Sequence, residues 1–155
     1  EGLAPGAYQV ATMHRAEDTD DLERFERVLS WLEHAAKISP VIMPIHPRTR
    51  KLLEARGRSL MNVRLIAPLG YLDMAWLVSQ SAGVMTDSGG LQKEAYFHRV
   101  PCTTLRDETE WIETVEAGWN RLWTTEAYAP RRDIADYGNG HASDIIAAKV
   151  KDLMN

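Results

Sequence analysis

The sequence predicts an α/β fold: a three-layer, Rossmann-like domain built on a parallel sheet. Three observations carry that prediction. Short apolar runs alternate along the whole chain with segments whose apolar residues recur at helical spacing, the pattern of βα units. One of these units, residues 83 to 97, reads as strand, tight glycine turn and helix. No internal repeat, low-complexity segment or linker interrupts the alternation, so residues 1–155 form one domain. A parallel sheet of this kind is covered on both faces, and the right-handed crossover rule makes it doubly wound.

The elements follow in order. After a loop-like start, Tyr8 to Met13 read as the first strand, ending at His14-Arg15. An acidic cluster, Asp18 to Asp21, opens a helix over residues 20–36, in which Leu22, Phe25, Val28, Leu29 and Leu32 share one face. Val41 to Ile45 form a second strand whose ladder Pro44 weakens. It ends in His46-Pro47-Arg48, and a helix follows that stops near Gly57. Val63 to Ala67 are the third strand, followed by a helix containing Met74, Leu77 and Val78. Gly83 to Met85 make the fourth strand and Cys102 to Leu105 the fifth. A short helix holding Ile112 and Val115 reaches Gly118, and Arg121 to Thr124 read as a sixth strand. Residues 126–140 are irregular, and a last amphipathic helix runs from Ala142 to Leu153.

Composition narrows the function. Hydrophobic residues make up 45% and the net charge is −4, an ordinary globular balance that argues against a nucleic-acid surface. The one cysteine, Cys102, lies in an apolar run and reads as a buried structural thiol, with no disulfide framework. Neither a membrane span nor a signal-peptide core is present, so the expectation is a cytoplasmic protein with no membrane partner. The histidines are scattered, without His-Glu-x-x-His or paired-cysteine spacing, so no metal is expected and no cofactor is called for. A Gly-x-Gly-x-x-Gly fingerprint and a Gly-Lys-Ser/Thr phosphate loop are both missing. The five tryptophans are read as packing residues.

The chemistry collects at one rim. Ligands of such sheets bind outside the carboxyl ends of the strands. There the chain places His14 and Arg15, His46 and Arg48, Ser88-Gly89-Gly90, and Arg106 through Glu110. At the Ser-Gly-Gly turn the first N–H groups of the following helix lack partners, and the helix dipole adds partial positive charge. Ser88 is placed to cap that helix and to bond an oxyanion. Gly89 and Gly90 remove Cβ atoms that would hold a phosphate off the backbone. Glu94, six residues after Ser88, can accept hydrogen bonds from ribose-type hydroxyls. Taken alone, the turn fits a simply capped helix, His46 fits a strand-end cap, and Arg106 with residues 107–110 fits surface ion pairing. Together they describe a pocket for a hydroxylated anion such as a nucleoside diphosphate.

Five ordered motifs carry a family resemblance: Thr12-Met-His-Arg-Ala-Glu17, Ile45-His-Pro47, Pro68-Leu-Gly-Tyr-Leu-Asp73, Thr86-Asp-Ser-Gly-Gly-Leu-Gln-Lys-Glu94 and Leu105-Arg-Asp-Glu-Thr-Glu110. The series resembles the C-terminal half of the non-hydrolysing bacterial UDP-N-acetylglucosamine 2-epimerases. That family pairs two Rossmann-like domains in a glycosyltransferase-B arrangement, with the UDP-sugar between them. It inverts C2 of the sugar by anti-elimination of UDP to a glycal and re-addition to the other face.

The resemblance implies that Ser88, Gly89 and Gly90 bind the diphosphate, Glu94 holds the ribose, and Met74 lies beside the uracil. It implies that His14 and Arg15 face the phosphates, with His14 the catalytic group that stabilises or protonates leaving UDP. His46 sits nearby; in some members its counterpart also contacts a second, activating UDP-sugar. Arg106 and Glu110 are the implied substrate rim.

Two departures qualify this. Many members read Arg-Asp-x-Thr-Glu-Arg-Pro-Glu where this chain reads Arg106-Asp-Glu-Thr-Glu-Trp111-Ile-Glu113, which leaves a diacetamido or uronic-acid UDP-sugar open. The family's carboxylates for proton removal at C2 belong to an N-terminal domain that this sequence does not contain. The chain alone is therefore expected to bind UDP or a UDP-N-acetyl sugar weakly and to catalyse nothing until an N-terminal epimerase domain joins it. In the family the final helix bridges the domains, so here it is expected to expose apolar surface, which would support a homodimer. A glycosyltransferase-B-type transferase half and a non-catalytic nucleotide-sugar-binding module stay open beside the epimerase reading.

Overall fold

A computed structural model describes residues 4–15 and 21–154. Among them, six strands form one parallel sheet: β1 (Gln9–Thr12), β2 (Val41–Pro44), β3 (Val63–Ile66), β4 (Gly83–Thr86), β5 (Cys102–Thr104) and β6 (Asn120–Leu122). Their order in space is β3-β2-β1-β4-β5-β6. The helices are α1 (Leu22–Ile38), α2 (Pro47–Ala55), α3 (Tyr71–Ser79), α4 (Gly89–Phe97), α5 (Ile112–Glu116) and α6 (Ala142–Leu153), with a 3-10 turn at Ala135–Tyr137. This is the doubly wound topology the alternation predicts. The strand order reverses between β1 and its neighbour β4, so the crevice above those two strands is where a ligand fits.

Neighbouring strand residues feed opposite faces of the sheet. Ala11, Val41, Met43 and Met85 face α1 and α2, where they pack on Phe25, Val28, Leu29, Leu32 and Leu53. Val10, Ile42, Val84 and Cys102 face α3 and α4, against Val78, Leu91 and Ala95. Burial pushes the Cys102 thiol up to about 12, so it stays protonated as a structural residue.

Local signals set the helix ends. Asp21 caps α1 by accepting the backbone N–H groups of Glu23 and Arg24. The helix therefore starts two residues after the predicted position. Asp18 to Asp20, with Ala16 and Glu17 of the first motif, lie outside the described residues. Pro47 occupies the first turn of α2, where a missing N–H costs nothing. Pro44 ends β2: the β1 side of its ladder stops at Ile42, while the β3 side continues to Pro44. The sixth strand lies earlier than expected, at Asn120–Leu122 rather than 121–124. Its register against β5 runs from Cys102↔Asn120 to Thr104↔Leu122, and a turn at Thr125 closes it.

A third, smaller cluster (Tyr96, Ala117 and Ile134, with Trp119 and Tyr137 against it) holds the irregular segment to the body of the domain. The Tyr96 hydroxyl accepts the Ile134 N–H there. Gly118 makes the close approach work: its φ is +70°, and a Cβ would lie 2.2 Å from the Ala129 carbonyl oxygen. Helix α6 is exposed along its whole length, including Ile145, Ile146, Val150 and Leu153. Among the described residues, no helix is long and apolar enough to cross a membrane.

Phe25 is fully buried at the centre of the α1 face. Phe25→Ala is expected to cost about 3–5 kcal/mol through lost transfer energy and the cavity left behind. Urea unfolding should show a lower midpoint at an unchanged slope.

Candidate functional site

The site begins with a buried carboxylate. Asp87, between the end of β4 and the turn, has no exposed surface. Its Oδ2 accepts the backbone N–H groups of His14 (2.6 Å) and Arg15 (2.7 Å), the residues that leave β1. Its Oδ1 lies 3.2 Å from Nδ1 of His14. Burial alone would raise the Asp87 pKa; the His14 ring and the two backbone donors outweigh it, and the net shift is downward. Thr12 and Thr86 share a 2.6 Å hydrogen bond across the same two strand ends, and Thr86 Oγ1 accepts the Ser88 N–H. On the other side, the buried Thr49 hydroxyl of α2 donates to the Met13 carbonyl at 2.5 Å. His14 therefore stands on a backbone held from three directions, with its side chain 41% exposed toward the rim.

His46 completes the pair. It ends the strand segment as expected and caps a helix rather than a strand: its Nδ1 accepts the Arg48 N–H at the start of α2. The His14 and His46 rings lie 5.6 Å apart, tilted by 39°.

Across from them is the start of α4. Ser88 is its N-cap, with Oγ accepting the Leu91 N–H at 3.5 Å, near the long limit of a hydrogen bond. The two glycines that follow do different things. At Gly90 an added Cβ would meet only Ser88 Oγ, at 3.9 Å, so this face of the helix is open. At Gly89 an added Cβ would lie 2.3 Å from Glu110 Oε1 and 3.2 Å from the Trp111 indole nitrogen. The room that Gly89 provides is thus filled by protein. Glu94 follows Gly90 by four residues and shares its face.

His14, His46, Met74, Ser88, Gly90 and Glu94 line one open cleft of about 360 Å³, with Pro68, Leu69 and Tyr71 on its apolar side. The structure gathers these six expected residues and sets the others beside them. Arg106, read as a rim cation, is 9% exposed, and its guanidinium donates to Glu110 Oε2 at 2.6 Å. The other Glu110 oxygen is 3.9 Å from Arg15. The Glu110 pKa is lowered by its own backbone N–H, against some burial, and further by Arg106. Arg15, Gly89, Arg106 and Glu110 thus form an ionic wall behind the helix start. Lys93 extends it, with Nζ 3.6 Å from the centre of the Trp111 ring.

Sequence reasoning missed Asp87, although it lies inside a quoted motif. Its place between an apolar strand and a glycine turn marks it as a candidate, but its burial comes from donors 72 and 73 positions away, which spacing does not show. The separate duties of Gly89 and Gly90 had no local signal either, because the contact with Glu110 spans 21 positions of sequence.

A family model described as UDP-N-acetylglucosamine 2-epimerase matches residues 1–151. The UDP-2,3-diacetamido-2,3-dideoxy-D-glucuronate 2-epimerase of Pseudomonas aeruginosa is 50% identical over 123 residues, covering 78% of this chain and 34% of that protein. A UDP-N-acetylglucosamine 2-epimerase homolog of Methanococcus maripaludis is 50% identical over 121 residues, covering 74% of this chain and 33% of its own. Among solved structures, the UDP-GlcNAc 2-epimerase of Methanocaldococcus jannaschii aligns with a TM-score of 0.82 and 33% identity over 93% of this chain and 45% of that one. A structure of the M. jannaschii UDP-GlcNAc 2-epimerase in complex with UDP-GlcNAc and UDP aligns at 0.77 and 30% identity, over 96% and 46%. The chain spans about a third of the length of the curated relatives it matches.

Asp87 makes a pH prediction. Its folded pKa is below the unfolded value of about 3.9, so the stability it contributes is complete above about pH 4. That contribution is lost as pH falls through the folded value. Below pH 4, the stability of Asp87→Asn should therefore fall less steeply than that of the unaltered chain in urea titrations. Equal slopes would contradict the assignment. The glycines make a second prediction. Gly89→Ala is expected to lower stability by about 1–3 kcal/mol through overpacking, and Glu110→Ala in the same chain to relieve part of it. Gly90→Ala should stay within about 0.5 kcal/mol of the unaltered chain.

Proposed function

Because the chain belongs to the UDP-N-acetylglucosamine 2-epimerase family, we propose that its cleft is the UDP-binding half-site of a sugar-nucleotide 2-epimerase. One observation carries this reading: Ser88, Gly90 and Glu94 share one face at the start of α4 and meet His14 across a single open cleft. In this reading the diphosphate lies against the open backbone at Gly90, where helix N–H groups and the dipole favour negative charge. Ser88 adds a hydroxyl donor, Glu94 accepts the ribose hydroxyls, and the base rests on the apolar side beside Met74. His14 stands where it can meet the diphosphate oxygen that carries the sugar. Cleaving the C1–O bond leaves an electron pair on that oxygen, and a proton from His14 or a hydrogen bond to it stabilises the charge as it forms.

The reaction of the whole enzyme, inversion at C2 through loss and return of UDP, needs a base for the C2 proton. This reading assigns that base to an N-terminal domain. The chain alone is then a nucleotide-binding module without epimerase activity.

A second reading of the sugar is a UDP-diacetamido uronate. It is favoured by the 50% identity to the P. aeruginosa relative. Trp111, with Lys93 stacked on it, stands at the position where many family members carry arginine, and that departure leaves the sugar open between the two.

Calorimetric titration with UDP tests the nucleotide reading. Saturable binding is expected. Glu94→Ala should weaken it by about 10- to 100-fold, the value of hydrogen bonds to a charged group, and Ser88→Ala by about 3- to 10-fold. Absence of saturation at millimolar UDP would overturn the half-site reading. Comparing UDP-N-acetylglucosamine with a UDP-diacetamido uronate, after an N-terminal epimerase domain is supplied, separates the two sugars.

A further inference from the structure

The two histidines of the cleft have different neighbours at the same ring atom. Nδ1 of His14 faces the buried Asp87 carboxylate at 3.2 Å. A carboxylate only accepts, and the Oδ1 that faces His14 is buried with no hydrogen bond of its own, so the proton of a neutral His14 ring belongs on Nδ1, the side where that acceptor stands. Nδ1 of His46 faces the backbone N–H of Arg48 at 3.2 Å and accepts from it. A proton there would set two donors against each other at the start of α2, so the proton of His46 belongs on Nε2.

We propose that His14 and His46 are held in opposite tautomers, with Asp87 the positioning residue for the first and the α2 N-terminus for the second. The consequence is a division of labour on rings 5.6 Å apart. His14 presents a bare Nε2, the atom that takes up and releases a proton. His46 presents a standing Nε2–H that donates a hydrogen bond and takes no part in proton transfer. Among the described residues, Asp87 lies below His14, His46 beside it, and Glu94 on the far wall of the cleft.

The assignment deepens the functional reading above and extends the role given to His14. When the sugar C1–O bond breaks, its electron pair stays on the diphosphate oxygen, and the Nε2 proton of a protonated His14 passes to that oxygen. What remains is neutral His14 protonated at Nδ1, the form that Asp87 already selects. No rearrangement of the ring is needed between departure and return of UDP. His46 meets the same ligand as a fixed donor.

Long-range ¹H–¹⁵N correlation spectra of the whole chain, recorded without nucleotide at a pH where the rings are neutral, test the proposal. His14→Gln and His46→Gln assign the two patterns. The expected result is Nδ1–H with an unprotonated Nε2 for His14, and the reverse for His46. Both rings in the same tautomer, or the two patterns exchanged, would overturn the proposal. Asp87→Asn puts an amide donor opposite His14 and should move His14 to the Nε2–H form, leaving His46 unchanged. A folded Asp87→Asn chain with His14 still in the Nδ1–H form would overturn the role given to Asp87. If that variant does not fold, the spectrum of the unaltered chain still decides the tautomers. Since no nucleotide is present, failure of UDP to bind is a separate result that counts only against the nucleotide reading.

Discussion

A carboxylate without exposed surface has only protein neighbours to turn to, and Asp87 organises the switch point through them: Oδ2 accepts two backbone N–H groups, while Oδ1 makes no hydrogen bond and has the His14 ring 3.2 Å away. Its backbone donors come from the end of β1, while its own backbone belongs to the end of β4. Those strands are sheet neighbours, and their separation in sequence is the long crossover that makes the fold doubly wound. The Asp87 interaction therefore ties the ends of these two strands together and sets the His14 ring at the rim at once. Loss of the carboxylate would leave two half-buried N–H groups without this acceptor, at a point where the chain turns into the cleft.

The parallel sheet explains why the chemistry sits where it does. Each strand delivers its last residues to one edge, and each following helix starts there with unpaired N–H groups. Two helix starts meet this edge, and their surroundings differ. At α2 the side chain of His46 takes up an N–H. At α4, Ser88 takes up one N–H and Gly90 leaves the surface open. Behind α4, the carboxylate of Glu110 and its arginine partners supply a wall of fixed charge. An open half and a closed half thus share one turn of helix. The open half faces the cleft, and the closed half packs the helix start against the protein's own charged side chains.

Most of the fold was legible because periodicity is a local signal. The face of α1, with Phe25, Val28, Leu29 and Leu32 in contact with the sheet, follows from spacing alone. The last helix was placed to the residue for the same reason, yet nothing in its spacing says what covers it, and in this chain its apolar side is bare. The site was legible in part. Polar residues after each strand identify the rim, and the Ser-Gly-Gly turn identifies the helix start. The burial of Asp87 and Arg106 was not read, because burial depends on which distant segments come together. The same is true of the two histidines. Their names are visible in the sequence, but the hydrogen-bond partner at each Nδ1 comes from the backbone that surrounds it.

The fit between Gly89 and Glu110 reaches beyond this one chain. A glycine at a phosphate-type turn is usually explained by what the ligand needs. Here the methyl group of an alanine at 89 would collide with a side chain of the protein's own, before any ligand arrives. An alanine at 89 would make the Glu110 carboxylate, the free end of a half-exposed side chain, swing away from its place beside Arg106. A relative carrying a larger residue at the first glycine is expected to carry a shorter side chain, or none, at the position of Glu110. The partner of Arg106 would change in the same step.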